Sequence, residues 1–134
     1  MFSKEFKIYF NQVDAAGILY FAEIFPLIHK TYEELFNNFK LSVNHFDNNE
    51  YIAPIIHAEA DYLTPIRLHE KILVKVRVSR LEKSSFELSY SVEGETGRLR
   101  VKAKTAHVLV DKNNFNKIEI PEELRVKLNA FLKE

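Results

Sequence analysis

The sequence predicts an α+β fold: a five-stranded antiparallel sheet covered on one face by a long helix, with a short C-terminal helix after it. Three observations carry that prediction. Residues 56–62, 72–79 and 86–93 alternate apolar with polar side chains, the period of a half-buried strand. Phe21, Ile24, Phe25, Ile28, Tyr32, Leu35 and Phe36 recur at the spacing of one helix face. No linker, repeat or low-complexity stretch interrupts the chain, so residues 1–134 are expected to form one domain.

The elements follow in order. Phe2, Phe6, Ile8 and Phe10 alternate loosely with Lys4, Glu5 and Lys7, which predicts a first strand over 2–10. Residues 11–17 form a polar turn that closes on small residues. The long helix follows from Tyr20, with Glu23, Lys30, Glu33 and Asn37 on its far side. Pro26 is tolerated in a first turn but costs about 3 kcal/mol deeper inside. The helix therefore either starts near Ala22 or kinks at Pro26. Residues 41–50 are polar and rich in asparagine, a loop. Ile56, Ala58, Ala60 and Tyr62 then alternate with His57, Glu59 and Asp61 in the first of the later strands. Gly94-Glu95-Thr96-Gly97 reads as a tight hairpin turn before a strand from about Arg98 to Val110. These later strands are expected in antiparallel succession, with Lys75, Arg77, Glu87 and Ser89 on a polar outer face. Pro121 opens the last helix, Glu122 and Glu123 suit the positive end of its dipole, and Leu124, Leu128, Phe131 and Leu132 form its stripe.

Composition excludes several chemistries. Lysine plus arginine and aspartate plus glutamate are both 19, so a dedicated nucleic-acid binder is not expected. Cysteine is absent, which removes disulfides, thiol nucleophiles and cysteine-based zinc sites. The only glycines are Gly17, Gly94 and Gly97, and no phosphate-cradling glycine loop or G-x-S-x-G elbow can be written with them. The most apolar stretch, 15–28, is interrupted by Glu23 and Pro26 and is too short to span a bilayer. No leader pattern follows Met1, so a cytoplasmic protein is expected, with no membrane partner.

The strongest local feature is Asp14-Ala15-Ala16-Gly17-Ile18-Leu19-Tyr20-Phe21, a carboxylate in a small-residue turn just before a helix. Backbone N–H groups at a helix start are unpaired and can hold the oxygen of a carbonyl as it becomes an anion. A carboxylate facing the same carbonyl could attack it or activate water. Asp14 could equally cap the turn or the helix, a common task for aspartate. His57, Glu59 and Asp61 share a strand face, which reads as a polar or subunit-interface face rather than a metal site. His29, His45, His69 and His107 are scattered and read as structural or surface residues. Arg77, Arg80 and Lys83 form a basic set at a strand end, solvated or able to meet phosphates.

The run from Val13 to Phe21, with the helix through Tyr32-Glu33, resembles the hotdog-fold thioesterases of the 4-hydroxybenzoyl-CoA type. Pro54-Ile55-Ile56-His57-Ala58-Glu59-Ala60-Asp61-Tyr62-Leu63, with Pro65, is similar to that family's second strand, nearest its 1,4-dihydroxy-2-naphthoyl-CoA branch. The resemblance implies a sheet wrapped around the long helix, and dimers with a continuous sheet that pair into a homotetramer. It places active sites at the dimer interface, with an acyl-CoA substrate and no cofactor beyond the coenzyme A of that substrate. It makes Asp14 the nucleophile or general base, the backbone N–H near Phe21 the oxyanion donor, and Gly17 the residue that keeps their turn compact. Lys83, and more remotely Ser85, fall where the family meets the coenzyme A phosphates. Gln12 stands where many members have an aspartate, and Pro26 is unusual in the helix. Phe21, Phe25, Tyr32, Phe36, Phe39, Phe46 and Tyr51 offer aromatic walls for an aromatic or medium-chain acyl group. The alternative is a non-catalytic hotdog protein that binds an acyl or aromatic ligand.

Overall fold

Pro26 decides where the long helix begins. A short 3-10 turn over Phe21–Glu23 leads directly into α1, Ile24–Phe39, in a computed structural model that describes residues 1–132. Pro26 falls in the first turn of α1, where its missing N–H and fixed φ are harmless, so no kink is needed. Lys133 and Glu134, the end of the domain expected over 1–134, lie outside the described residues.

The strands are β1 (Phe2–Lys7), β2 (Tyr51–Ile52), β3 (Ile55–Tyr62), β4 (Lys71–Leu81), β5 (Ser85–Glu93), β6 (Leu99–Val108) and β7 (Val110–Asp111). β1 is shorter than expected. The chain turns over Phe10–Gln12, and Phe10 is exposed rather than inward. The five long strands form one antiparallel sheet in the order β1-β4-β5-β6-β3, while β2 pairs with β7 beside it. The hairpin turn at Gly94–Gly97 is present, closed by the Gly94 N–H to Arg98 and the Gly97 N–H to Gly94. α2 spans Glu122–Ala130 and packs Leu124 and Leu128 into the core.

Two expectations about the sheet are corrected. Strand succession is not simple, because β3 pairs with β6 and not with β4. Short turns make β4, β5 and β6 pair locally, and residues 63–70 then cross from one sheet edge back to β1. Nor is β3 half-buried, since every one of its residues except Ala60 is exposed. Among the described residues it has a partner on one side alone, and the period of two says nothing about whether a helix lies over the strand.

The core lies between α1 and the inner sheet face. Ile24, Ile28, Leu35 and Phe36 pack against Val74, Val76, Phe86, Leu88 and Val92, all buried. Removing such side chains from water supplies about 1.5–3 kcal/mol each. A polar thread runs through this apolar layer. The Tyr32 hydroxyl bonds His45 Nε2 at 2.7 Å, and His45 Nδ1 reaches the Tyr51 hydroxyl at 3.0 Å. The Tyr90 hydroxyl meets Thr105 at 2.9 Å, and Thr105 meets His107 Nε2 at 2.8 Å. The ring of His107 stacks on Phe86 with centroids 4.6 Å apart.

Burial holds both histidines neutral. It pushes His45 down to about 4 and, with the neighbouring His45 and His29, His107 down to about 3. An unfolded chain protonates the same rings near pH 6.5. Their contribution to stability is therefore complete above pH 6.5 and is lost as pH falls toward 3–4. Urea denaturation at pH 7.5 and 5.0 should show a loss of roughly 2–4 kcal/mol from the pair at the lower pH. An unchanged midpoint would contradict the burial argument.

Candidate active site

The crossing segment 63–70 builds the site by clamping the Asp14 loop. The Leu19 N–H donates to Ile66 at 2.7 Å and the Leu68 N–H to Gly17 at 3.1 Å. Inside the loop, the Gly17 N–H closes a four-residue turn on the Asp14 carbonyl at 3.0 Å. Gly17 takes φ +75 there, a left-handed conformation that glycine adopts without strain. Asp14 Oδ1 accepts the Ala16 N–H at 2.9 Å, which orients the carboxylate and leaves Oδ2 free of any hydrogen bond among the described residues. Asp14 therefore does cap its turn, and one oxygen remains available for chemistry.

Gln12 has a local task of its own. Its side-chain oxygen accepts the Tyr9 N–H at 2.8 Å, and its carbonyl accepts the Tyr20 N–H at 2.9 Å. Those bonds tie the two arms of the loop together and aim the chain into the Phe21–Glu23 turn. No acceptor among the described residues takes up the Phe21 N–H, as the first donors of a helical turn require.

Asp14 and Phe21 line one open cleft of about 440 Å³. Its other walls are Ile18, Leu19, Tyr20, Tyr62, Leu63, Thr64, Pro65, Ile66 and Val101. The cleft is mainly apolar and carries a single charged side chain, that of Asp14. Such a surface fits an uncharged, flat or aliphatic group with one reactive polar atom. Tyr20, Phe21, Tyr62 and Leu63 are all exposed at its rim.

The sequence-expected residues divide clearly. Asp14, Gly17 and Phe21 are brought together. Lys83 and Ser85 are not. They lie on the β4–β5 hairpin and do not line the Asp14 cleft of their own chain. The Ser85 hydroxyl donates to Glu82 at 3.3 Å, and the Lys83 carbonyl accepts from Arg125 at 3.1 Å. The expected aromatic walls are also corrected. Tyr32, Phe36, Phe39 and Tyr51 are core residues, and of the seven only Phe21 lines the Asp14 cleft. Tyr20, Tyr62, Leu63 and Pro65 were not expected there. The place of β3 at the sheet edge brings Tyr62 to this cleft, and the crossing of 63–70 brings Leu63 and Pro65. His57 Nε2 contacts Glu59 at 2.9 Å on the exposed strand. Among the described residues no group of three or more histidine or carboxylate side chains is poised to hold a metal ion.

The model of the thioesterase-like superfamily matches residues 8–128. A 1,4-dihydroxy-2-naphthoyl-CoA hydrolase of Nostoc punctiforme is 33% identical over 116 residues, covering 86% of this chain and 78% of that one. The enzyme of the same name from Microcystis aeruginosa is 31% identical over 120 residues, covering 88% and 86%. A 1,4-dihydroxy-2-naphthoyl-CoA thioesterase structure from Synechocystis superposes with a TM-score of 0.88 at 24% identity, over 96% of this chain and 95% of that one. At that identity the superposition speaks for the fold, and the family match and the sequence relatives speak for descent. The chain belongs to the thioesterase-like superfamily.

Proposed function

We propose that this protein is an acyl-CoA thioesterase and that 1,4-dihydroxy-2-naphthoyl-CoA is its substrate. The observation that carries the reading is the shared, mainly apolar cleft lined by Asp14 and Phe21, whose carboxylate Oδ2 and backbone N–H have no hydrogen-bond partner among the described residues. The thioester carbonyl oxygen would take the Phe21 N–H, and Asp14 would attack the carbonyl carbon or deprotonate the water that does. As the carbonyl becomes tetrahedral its oxygen gains charge, which the helix-start N–H stabilises more than it stabilises the substrate. Collapse expels the coenzyme A thiolate, which takes up a proton, and leaves either the free acid or, where Asp14 has attacked, a mixed anhydride that water then hydrolyses to the acid and the restored carboxylate. Gly17 keeps the turn between the two groups short. No resident cofactor is needed, because the carboxylate and water supply the atoms. The reaction is placed in the cytoplasm, since coenzyme A thioesters are large anions that do not cross membranes unaided. Residues 1–134 act as one domain in this reading.

A homodimer is part of the proposal. Among the described residues β3 has no partner on its outer edge, and Ile55, Ile56 and Tyr62 are exposed along it. A long exposed edge strand is a template for pairing with another. An antiparallel β3–β3 pair would bring a second chain over the open cleft and could deliver Lys83 and Ser85 toward the coenzyme A phosphates. The homotetramer rests on the family resemblance. Ile56→Lys is expected to convert the dimer to monomer in sedimentation and to cut activity with it. A monomer working at the full rate would remove the shared-site element.

The test of function is a panel of aromatic and aliphatic acyl-CoAs that includes 1,4-dihydroxy-2-naphthoyl-CoA, assayed by thiol release. Preference for the naphthoyl thioester supports the specific reading, and turnover of other thioesters alone supports only the general one. Tight retention without turnover would make the protein a binder.

A further inference from the structure

We propose that Tyr62 is a positioning residue whose hydroxyl, by donating to the Phe21 carbonyl, fixes the turn that presents the oxyanion donor. The inference rests on the thioesterase reading and assigns a residue that the sequence did not single out for the site.

Tyr62 ends β3, on the edge strand, 41 residues from Phe21 in sequence. Its hydroxyl hydrogen-bonds the Phe21 backbone oxygen, and both residues line the cleft with Asp14. The same carbonyl also accepts the Ile24 N–H, which it shares with the Ala22 carbonyl. A 3-10 turn has poorer hydrogen-bond geometry than an α-helix and is free to unwind at its open end. The end in question is exposed, since the Phe21 side chain keeps 59% of its accessible surface. The Tyr20 N–H bond to Gln12 holds the chain on the N-terminal side of the turn, and the Tyr62 bond from a separate strand restrains Phe21 itself.

The bond also has an electrostatic effect. A peptide whose carbonyl accepts two hydrogen bonds is more polarised, and the N–H on that peptide is the one of Ala22. The tether therefore holds the Phe21 N–H in direction and strengthens the next donor beside it. Burial raises the ionisation of the Tyr62 phenol above the usual tyrosine value, so the hydroxyl stays protonated and stays a donor. The ring itself is a cleft wall, so its packing and its hydroxyl must be separated by experiment.

Tyr62→Phe keeps the ring and removes the bond. With an acyl-CoA that the wild type hydrolyses, we expect kcat to fall about tenfold with KM within about twofold, the pattern of an interaction that matters in the transition state. Tyr62→Ala should also raise KM, because the wall is lost. Hydrogen exchange supplies a readout apart from activity: amides of the 20–24 segment should exchange faster in Tyr62→Phe, with the sheet unchanged. A kcat within twofold of wild type, or a loss carried by KM alone, overturns the proposal. So does unchanged exchange at the turn. A wild type that hydrolyses no acyl-CoA overturns the thioesterase reading and the catalytic consequence with it, while faster exchange in Tyr62→Phe would still uphold the tether.

Discussion

Asp14→Asn is expected to lower kcat for acyl-CoA hydrolysis by about 10²-fold or more, with KM little changed and the fold intact. The substitution is clean for a structural reason. The bond from the Ala16 N–H goes to Asp14 Oδ1, and the amide oxygen of asparagine accepts it equally well. The turn closed by the Gly17 N–H on the residue 14 carbonyl is untouched, because it is backbone to backbone. What disappears is the second oxygen as a base or nucleophile, since an amide can neither take a proton near neutral pH nor attack a thioester. Steady-state kinetics with a denaturation curve for each protein checks both halves. A variant that keeps more than about a tenth of the wild-type kcat would leave Asp14 as a turn cap and no more.

Legibility in the sequence tracked how local each feature is. The helix stripe from Ile24 to Phe36, the alternation of β4 and β5, the Gly94–Gly97 turn and the Asp14–Gly17 turn are set by neighbours within a few residues and stand where the sequence put them. Phe21, expected on the stripe, lies exposed in the 3-10 turn before α1. Asp14 stood out as a carboxylate in a small-residue turn before a helix, but only the family resemblance singled out it and the Phe21 N–H as the reacting pair. What failed was non-local. The place of β3 at the far edge depends on which strands leave short turns between them, and alternation in 56–62 is blind to that. The cleft wall depends on that edge position for Tyr62, and on the crossing that follows for Leu63 and Pro65. His45 lies in an asparagine-rich loop that looks solvated, yet Tyr32 and Tyr51 each offer it a hydroxyl and draw it inward. The helix aromatics were misassigned because an apolar stripe marks what is buried, and it does not say whether a ligand or the sheet does the burying.

Phe21→Pro is expected to lower kcat by about 10²–10³-fold, the range found when one oxyanion donor is removed. It deletes the Phe21 N–H, and the backbone is already shaped for it. Tyr20 has φ −63 and ψ 133, the extended region that a residue before proline must occupy. Phe21 opens a 3-10 turn, whose φ matches the fixed angle of proline. No hydrogen bond of the described residues uses the deleted N–H, so none is lost with it. The aromatic ring goes too, and Phe21→Ala supplies the control: it keeps the N–H and is expected to raise KM while sparing most of kcat. The difference between the two variants isolates the donor. If they hydrolyse thioester equally fast, the oxyanion is held elsewhere, and the adjacent Ala22 N–H, on the peptide that Tyr62 polarises, becomes the group to test. Combining Phe21→Pro with Asp14→Asn should cost far less than the product of the single losses. An oxyanion donor has little left to stabilise once the group that creates the oxyanion is gone.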